Sequence, residues 1–418
     1  MLRPLTLLNK GMLAALAFIT LPNCMAATAQ SPGSQNPPGP SSVESLAAPA
    51  LTKTNFMTRL SEPWDLAFLK DGTMFFTEKC RGLSVRLPNG QVNRLFGVRN
   101  YAVSAPDLFC EGQSGVNGVT VDPDFANNRF IYVYMASSLS ANPRTNRVVR
   151  LVVADNLTSV QNRTDIITDI PYKNRPNAVG SAGAHSGGRL RFGPDGYLYV
   201  TTGDNHNSVL PQGLTNLGAK VLRVTREGAP APGNNGPAGA DPRIFTYGHR
   251  NVQGLSFHPT TGQAFVGEHG PGHTDEVTAL VAGKNAGWDP RPEPGVDCPD
   301  NYCGYTTNKL DGTLTPMTDL GKFPDAMIPT WTTGNDSQGM GPVEFLRGTK
   351  WKSWDGRLAA SLMATQKLEV LAFNSDGSVM STTRAPLPAT RMRSVVLGPD
   401  ANLYIATDSG AIWKVVPR

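Results

Sequence analysis

Residues 188–204 read GRLRFGPDGYLYVTTGD, an apolar run, a Pro-Asp-Gly turn and an alternating, aromatic-containing run. The first run is short enough for a strand, Asp and Gly provide the backbone angles of a tight turn, and the second run has the period of a half-buried strand. Five further stretches repeat the phrase: PWDLAFLKDGTMFFTEK from Pro63, GVTVDPDFANNRFIYVYM from Gly118, GLSFHPTTGQAFVGEHG from Gly254, GPVEFLRGTKWKSWDGRLAAS from Gly341 and SVVLGPDANLYIATDSG from Ser394. A lone hairpin of this kind leaves a face and an edge exposed, whereas radial packing of similar sheets covers the faces and shortens the edges. Six copies therefore predict an all-β, six-bladed β-propeller; a pair of β-sandwiches with coincidental turns is the alternative. The copies are spaced more widely than a minimal four-stranded blade requires, so the surplus forms inserted loops, where function usually resides.

The composition agrees. Of 418 residues, 39% are hydrophobic and 17% charged, enough apolar material for a large core, while 43 glycines and 34 prolines exclude a coiled coil or helical solenoid. Thirty-eight basic and 33 acidic residues give a net charge of +5, which falls to +3 without Arg3 and Lys10. So small an excess points to no nucleic-acid partner. Residues 1–29 have the order of a secretory signal: Arg3 and Lys10, an apolar stretch over 11–21, and Ala27-Thr28-Ala29 as a cleavage site. They predict a periplasmic or secreted protein with no stable membrane insertion. A faint lipoprotein box at Leu21-Pro22-Asn23-Cys24 is the alternative anchor. The Pro/Ser/Gly-rich residues 30–50 read as a flexible linker to a single domain over 51–418. Cys80, Cys110, Cys298 and Cys303 remain after the leader. Three disulfide pairings are open to them. Local spacing favours Cys298 with Cys303, leaving Cys80 with Cys110, and a four-thiolate metal site is the rival reading.

Several loops carry chemistry. His185 lies in the glycine-rich Gly183–Leu190 stretch just before a strand, where an imidazole titrating near neutrality suits a general base; a loop histidine bonded to a blade end is the structural alternative. Arg250 and Asn251, in FTYGHRN, present a guanidinium beside an amide for carboxylate or carbonyl oxygens, unless an ordinary salt bridge takes the arginine. The stretch GEHGPGHTDE over 267–276 has two histidines and three carboxylates. Its glycines and proline preclude the helix of an H-E-x-x-H zinc site, so oxygen ligation of calcium suits it better. Arg391 and Arg393 alternate onto one face of the last inner strand and need an anion, a carboxylate or open solvent.

Taken in order, HSGGRL, FGPDGYLYVTTGD, YGHRNVQGL, GEHGPGHTDEV, GKNAGWD and TRMRSVVLGPDANLYIATD resemble the glucose/sorbosone dehydrogenase family, from about Pro63 to Val416. The resemblance implies a six-bladed propeller that carries pyrroloquinoline quinone (PQQ) and calcium and oxidises the anomeric carbon of an aldose sugar to a lactone. By the same resemblance, His185 is the catalytic base. Gln113, Arg250, Asn251, Arg391 and Arg393 face the cofactor. The carbonyls of Gly270 and Pro271 ligate the bridging calcium, and Glu276 with the Ala286 carbonyl forms a second calcium site. Neither C-x-x-C-H nor G-x-G-x-x-G is present, so the electrons pass to an external acceptor, a quinone or dye.

Three positions depart from the family pattern. Ala184 replaces an aspartate before the histidine, which predicts a less well oriented or less basic base. Ala364 stands where several members carry a cofactor-binding lysine, and Ala286 replaces an aromatic residue. Two other functions fit a propeller: a calcium-dependent, lactonase-like hydrolase, with carboxylates and amides converging on the axis, and a sugar- or protein-binding propeller without turnover. Specificity is expected in the loops over 205–242 and 290–329, and the sequence carries no signal for an oligomeric state.

Overall fold

The computed structural model describes residues 47–140, 144–374 and 376–418. The leader, the lipoprotein box and most of the linker lie outside them. Among the described residues six sheets form, five antiparallel ones of four strands and one of five whose short outermost strand pairs in parallel. Each sequence phrase becomes the innermost two strands of one blade. The innermost strands are Pro63–Phe68, Val116–Val121, Leu190–Phe192, Val252–Phe257, Met340–Phe345 and Met392–Leu397.

The sixth phrase supplies Met392–Leu397 and Leu403–Thr407, and one further strand, Ala411–Pro417, follows it. The fourth strand of that sheet is Leu51–Met57, from the other end of the chain, paired Leu51 to Pro417 and Thr54 to Lys414. Ala50 extends the ladder by exchanging backbone hydrogen bonds with Arg418 (3.2 and 2.8 Å). The ring is thereby closed by backbone hydrogen bonds between residues 50–57 and 411–418.

Every junction between neighbouring blades holds its own apolar cluster. Phe75, Val119 and Val133 join blades 1 and 2, Tyr134, Leu190 and Leu222 join 2 and 3, and Tyr199, Leu255 and Val266 join 3 and 4. Phe265, Val343 and Leu358 continue the series, followed by Val370, Val395 and Ile405 and, across the closure, Leu66, Phe76 and Ile412. This arrangement corrects one expectation. The second strands are not half-buried: every residue of Met74–Glu78, Leu198–Thr201, Ala264–Glu268, Leu358–Leu362 and Leu403–Thr407 is buried. Both faces of an inner strand are covered by adjacent blades, so its polar residues are enclosed as well and must find partners.

The cysteines pair as Cys80–Cys110 and Cys298–Cys303, which removes the four-thiolate site. No helix among the described residues is long and apolar enough to cross a membrane.

Candidate active site

Within each blade the start of the inner strand lies opposite the end of the second, as Val252 opposite Glu268 and Met392 opposite Thr407. Residues just before inner strands and just after second strands therefore gather at one mouth of the ring, although they are far apart in sequence. His185, Gln113, Arg250, Asn251 and Arg391 fall in the first group, with Arg393 at the start of its inner strand, and Asp204, His269, Gly270 and Asp408 in the second.

His185 is 4% exposed and has a left-handed backbone (φ 50°), a conformation that costs a non-glycine residue of order 1–2 kcal/mol. Its amide donates to Gln113 Oε1 (3.1 Å) and its carbonyl accepts from Asn205 Nδ2 (2.9 Å), which holds that conformation. Gly187 follows at φ 61°, where a Cβ would stand 2.5 Å from the Cα of Thr202. Only glycine lets the loop approach that strand so closely. The Gly187 amide donates to Asn251 Oδ1 (3.2 Å). Three of the sequence candidates, Gln113, His185 and Asn251, thus form one hydrogen-bonded unit.

Ala184 predicts a base less well oriented or less basic; the structure supplies an orienting group from elsewhere, while burial does make the imidazole less basic. Asp204, at the end of the second strand of blade 3, lies 2.7 Å from His185 Nδ1 through Oδ1. Its Oδ2 accepts from Trp288 Nε1 (2.9 Å) and the Tyr302 hydroxyl (2.8 Å), and the His206 amide donates to Oδ1 (2.9 Å). Surrounded by donors, Asp204 fixes the hydrogen of the imidazole on Nδ1 and leaves the lone pair on Nε2. Burial, assisted by the nearby positive charges of Arg250, His269 and Lys173, holds His185 well below the usual histidine range. It is therefore neutral, and able to accept a proton, at pH 7. His206 stacks on it with ring centroids 3.7 Å apart and is pushed by burial down to about 2.

Arg250 is fully buried. Its Nη1 donates to the carbonyls of His269 (2.8 Å) and Gly270 (2.7 Å), its Nη2 donates to the Tyr305 hydroxyl (2.8 Å), and its Nε has no partner. No carboxylate among the described residues pairs with it, so the ordinary salt bridge is not what the residue forms. The Glu268 carboxylate instead accepts from the Arg250 backbone amide and lies 2.8 Å from His249 Nδ1, locking the loop in place. Arg391 and Arg393 share one carboxylate, Asp408, at 3.1 and 2.5 Å, which leaves that face with a net positive charge; Arg393 also lies 4.6 Å over the Trp64 ring. The carbonyl of Arg393 accepts from Arg189 Nη2 (2.8 Å), connecting it to the histidine loop.

Oxygen donors sit where the resemblance placed calcium. Gly270 O points at the Arg250 guanidinium and retains a second lone pair, with Pro271 buried beside it. Farther out, the Thr318 hydroxyl lies 2.9 Å from Glu276 Oε1 and 3.2 Å from the Ala286 carbonyl, so those two predicted ligands do converge, away from His185. Burial, with Glu268 and Asp275 nearby, raises the Glu276 carboxyl well above its usual range. A buried carboxyl beside carbonyl and hydroxyl oxygens, with no basic partner, is a donor set that fits a hard cation. Among the described residues no group of three His, Cys, Asp or Glu is placed to hold a metal. Asp275 instead accepts from Gly270 N, Ser337 Oγ and Gln338 N and shapes the loop.

Asp204, Trp288, Tyr302 and Tyr305 were not singled out by sequence reasoning. Trp288 and Tyr302 belong to the insertion of blade 4, pack with Met317, and cross to blade 3; the Cys298–Cys303 disulfide closes the chain around Tyr302. Asp204 closes the quoted phrase, and the position of that strand end at the histidine's mouth was the available signal.

A match to the Glucose / Sorbosone dehydrogenase family spans residues 60–414. The chain is 29% identical over 381 residues to aldose sugar dehydrogenase YliI of Escherichia coli K12, covering 89% of this chain and 95% of the relative. It is 28% identical to quinoprotein glucose dehydrogenase B of Acinetobacter calcoaceticus, over 67% of this chain and 60% of that one. The crystal structure of the soluble aldose sugar dehydrogenase of Escherichia coli in the apo-form superposes with a TM-score of 0.73 at 26% identity, covering 88% of this chain and all of that one. The repeat, the ring and the loops at its mouth together place this chain in the glucose/sorbosone dehydrogenase family, a family of oxidoreductases acting on sugars.

Proposed function

We propose that this chain oxidises the anomeric carbon of aldose sugars to lactones, with PQQ as the cofactor and calcium as its metal. The observation that carries this reading is the His185–Asp204 pair: a buried imidazole with a fixed tautomer and a lone pair free for proton transfer. His185 Nε2 takes the proton of the anomeric hydroxyl, and Asp204 stabilises the positive charge that develops on the ring. When bound, the quinone supplies the acceptor for the hydride that leaves the same carbon, so the C–H bond is exchanged for a second C–O bond order. Gln113 and Asn251 hold the histidine loop at its two ends.

The unpaired Nε of buried Arg250 is the orphaned polar atom that a carboxylate-bearing quinone would satisfy, and Arg391 and Arg393 add positive charge at the same mouth. Gly270 and Pro271 would hold the calcium at the cofactor, and Glu276 with Ala286 a structural one. A quinoprotein among the relatives supports the cofactor. The leader and the two disulfides support export to the periplasm or beyond, with electrons passed to an external quinone or dye.

The test is reconstitution. Purified apo-protein is titrated with PQQ and calcium, and aldose-dependent dye reduction is followed beside His185→Ala. Turnover that needs both additions and falls about 10²- to 10⁴-fold in the variant is expected. Failure to bind the quinone at all would overturn the reading.

A further inference from the structure

Beside the catalytic histidine lies a cavity of about 350 Å³ that no step above uses. It adjoins the site through His206, which lines it and stacks on His185. Its walls carry Lys173, Arg175, Asn177, Asn205 and Asp300. Lys173 is only 7% exposed, and its ammonium makes no hydrogen bond or ion pair to the described residues. Asn205 Oδ1 and His206 Nδ1 are buried there without partners. The Lys173 ammonium, at the wall of the cavity with no partner of its own, is free to pair with an anion that enters it.

Of the carboxylates nearby, Asp204 is already surrounded by four donors, and Asp300 is held through Oδ2 by the Ala178 amide (2.7 Å). Lys173, Arg175 and Asp300 thus line, together with amides, a space of sugar dimensions. We propose that this cavity receives the carboxylate of an acidic sugar, a uronic acid, with Lys173 and Arg175 binding the acid group and Asp300 and Asn205 accepting from ring hydroxyls. The inference rests on the dehydrogenase reading of His185 for turnover, but not for binding. Burial lowers the Lys173 ammonium from its usual range, and a bound carboxylate reverses that penalty.

The experiment has two arms. In the first, D-glucuronate, D-glucose and a neutral disaccharide are titrated calorimetrically into the apo-protein, its Lys173→Met and Lys173→Arg variants, and Arg175→Gln. Glucuronate is expected to bind about tenfold more tightly than glucose, with the preference lost in Lys173→Met and restored in Lys173→Arg. In the second, the ratio of kcat/KM for glucuronate over glucose is measured on the PQQ-loaded enzyme and is expected to follow the same order. Equal binding of acid and neutral sugars, or a neutral disaccharide that depends on Lys173 as strongly, overturns the proposal. Lys173-dependent glucuronate binding without turnover of any sugar leaves the cavity assignment standing and refutes the dehydrogenase reading.

Discussion

Replacing Asp204 by asparagine is the sharpest probe of the site, because it keeps the shape of the side chain and changes only what its atoms can do. Four donors converge on the two oxygens: His185 Nδ1 and the His206 amide on one, Trp288 Nε1 and the Tyr302 hydroxyl on the other. An amide has one oxygen to offer. If it faces His185, its NH2 opposes the Trp288 indole N–H, which cannot turn to accept. If it faces Trp288, its NH2 opposes the His206 amide and forces His185 into the tautomer with the hydrogen on Nε2, which removes the base. Losing a charged acceptor in a fully buried place and leaving one donor opposed costs about 3 kcal/mol of stability. The general base is worth about 10²- to 10⁴-fold, so kcat falls by that factor while KM changes little. Dye reduction by the reconstituted enzyme measures both constants, and thermal unfolding reports the fold. In the parent enzyme, activity is expected to be lost as pH falls through the depressed His185 pKa, below the ordinary value near 6.5, since the neutral ring is the active form. A folded Asp204→Asn protein with kcat within threefold of the parent would refute the assignment of Asp204 as the group that orients the base.

Four further outcomes follow from the geometry. Ala184→Asp, which restores the residue the family pattern carries before the histidine, is expected to lower thermal stability without raising kcat, because position 184 is 5% exposed and His185 Nδ1 is already bonded. At Glu276 the folded pKa is raised, so apo stability is present below the ordinary carboxyl range and lost as pH rises toward the raised value. Calcium is accordingly expected to raise the melting temperature more at pH 8 than at pH 5, with this pH dependence lost in Glu276→Gln, as differential scanning calorimetry can check. Deleting residues up to 57 removes the outer strand of the sixth blade and bares the edge of Ala411–Pro417; aggregation or loss of a cooperative transition is expected, whereas a monomer with unchanged melting temperature contradicts ring closure by that strand. Replacing Cys298 and Cys303 by serine costs about 2 kcal/mol by loop entropy and frees the segment that brings Tyr302 to Asp204, so kcat is expected to fall while the far-ultraviolet circular dichroism of the blades is unchanged.

The repeated phrase made six blades legible because strand length, turn chemistry and alternation are local properties, written within about twenty residues of one another. His185, Arg250 and the paired arginines were legible because each stands just before one of those phrases, and the order of phrases determines which loops share a mouth. Family resemblance supplied roles for them but missed the group that orients the imidazole, since it compared position 184 and not the space around the ring. What orients His185 comes from Asp204 on a neighbouring strand of the same blade, and from Trp288 and Tyr302 in the insertion of the next. The unpaired Lys173 beside it was equally invisible in sequence, for the absence of a partner is a property of everything nearby. Sequence alone thus determined the blades, their number and the loops that gather at the mouth. Only the tertiary structure decided which donors surround which acceptors, because burial on both faces of every inner strand forces each enclosed polar atom to find its partner through space, from whichever blade happens to supply it.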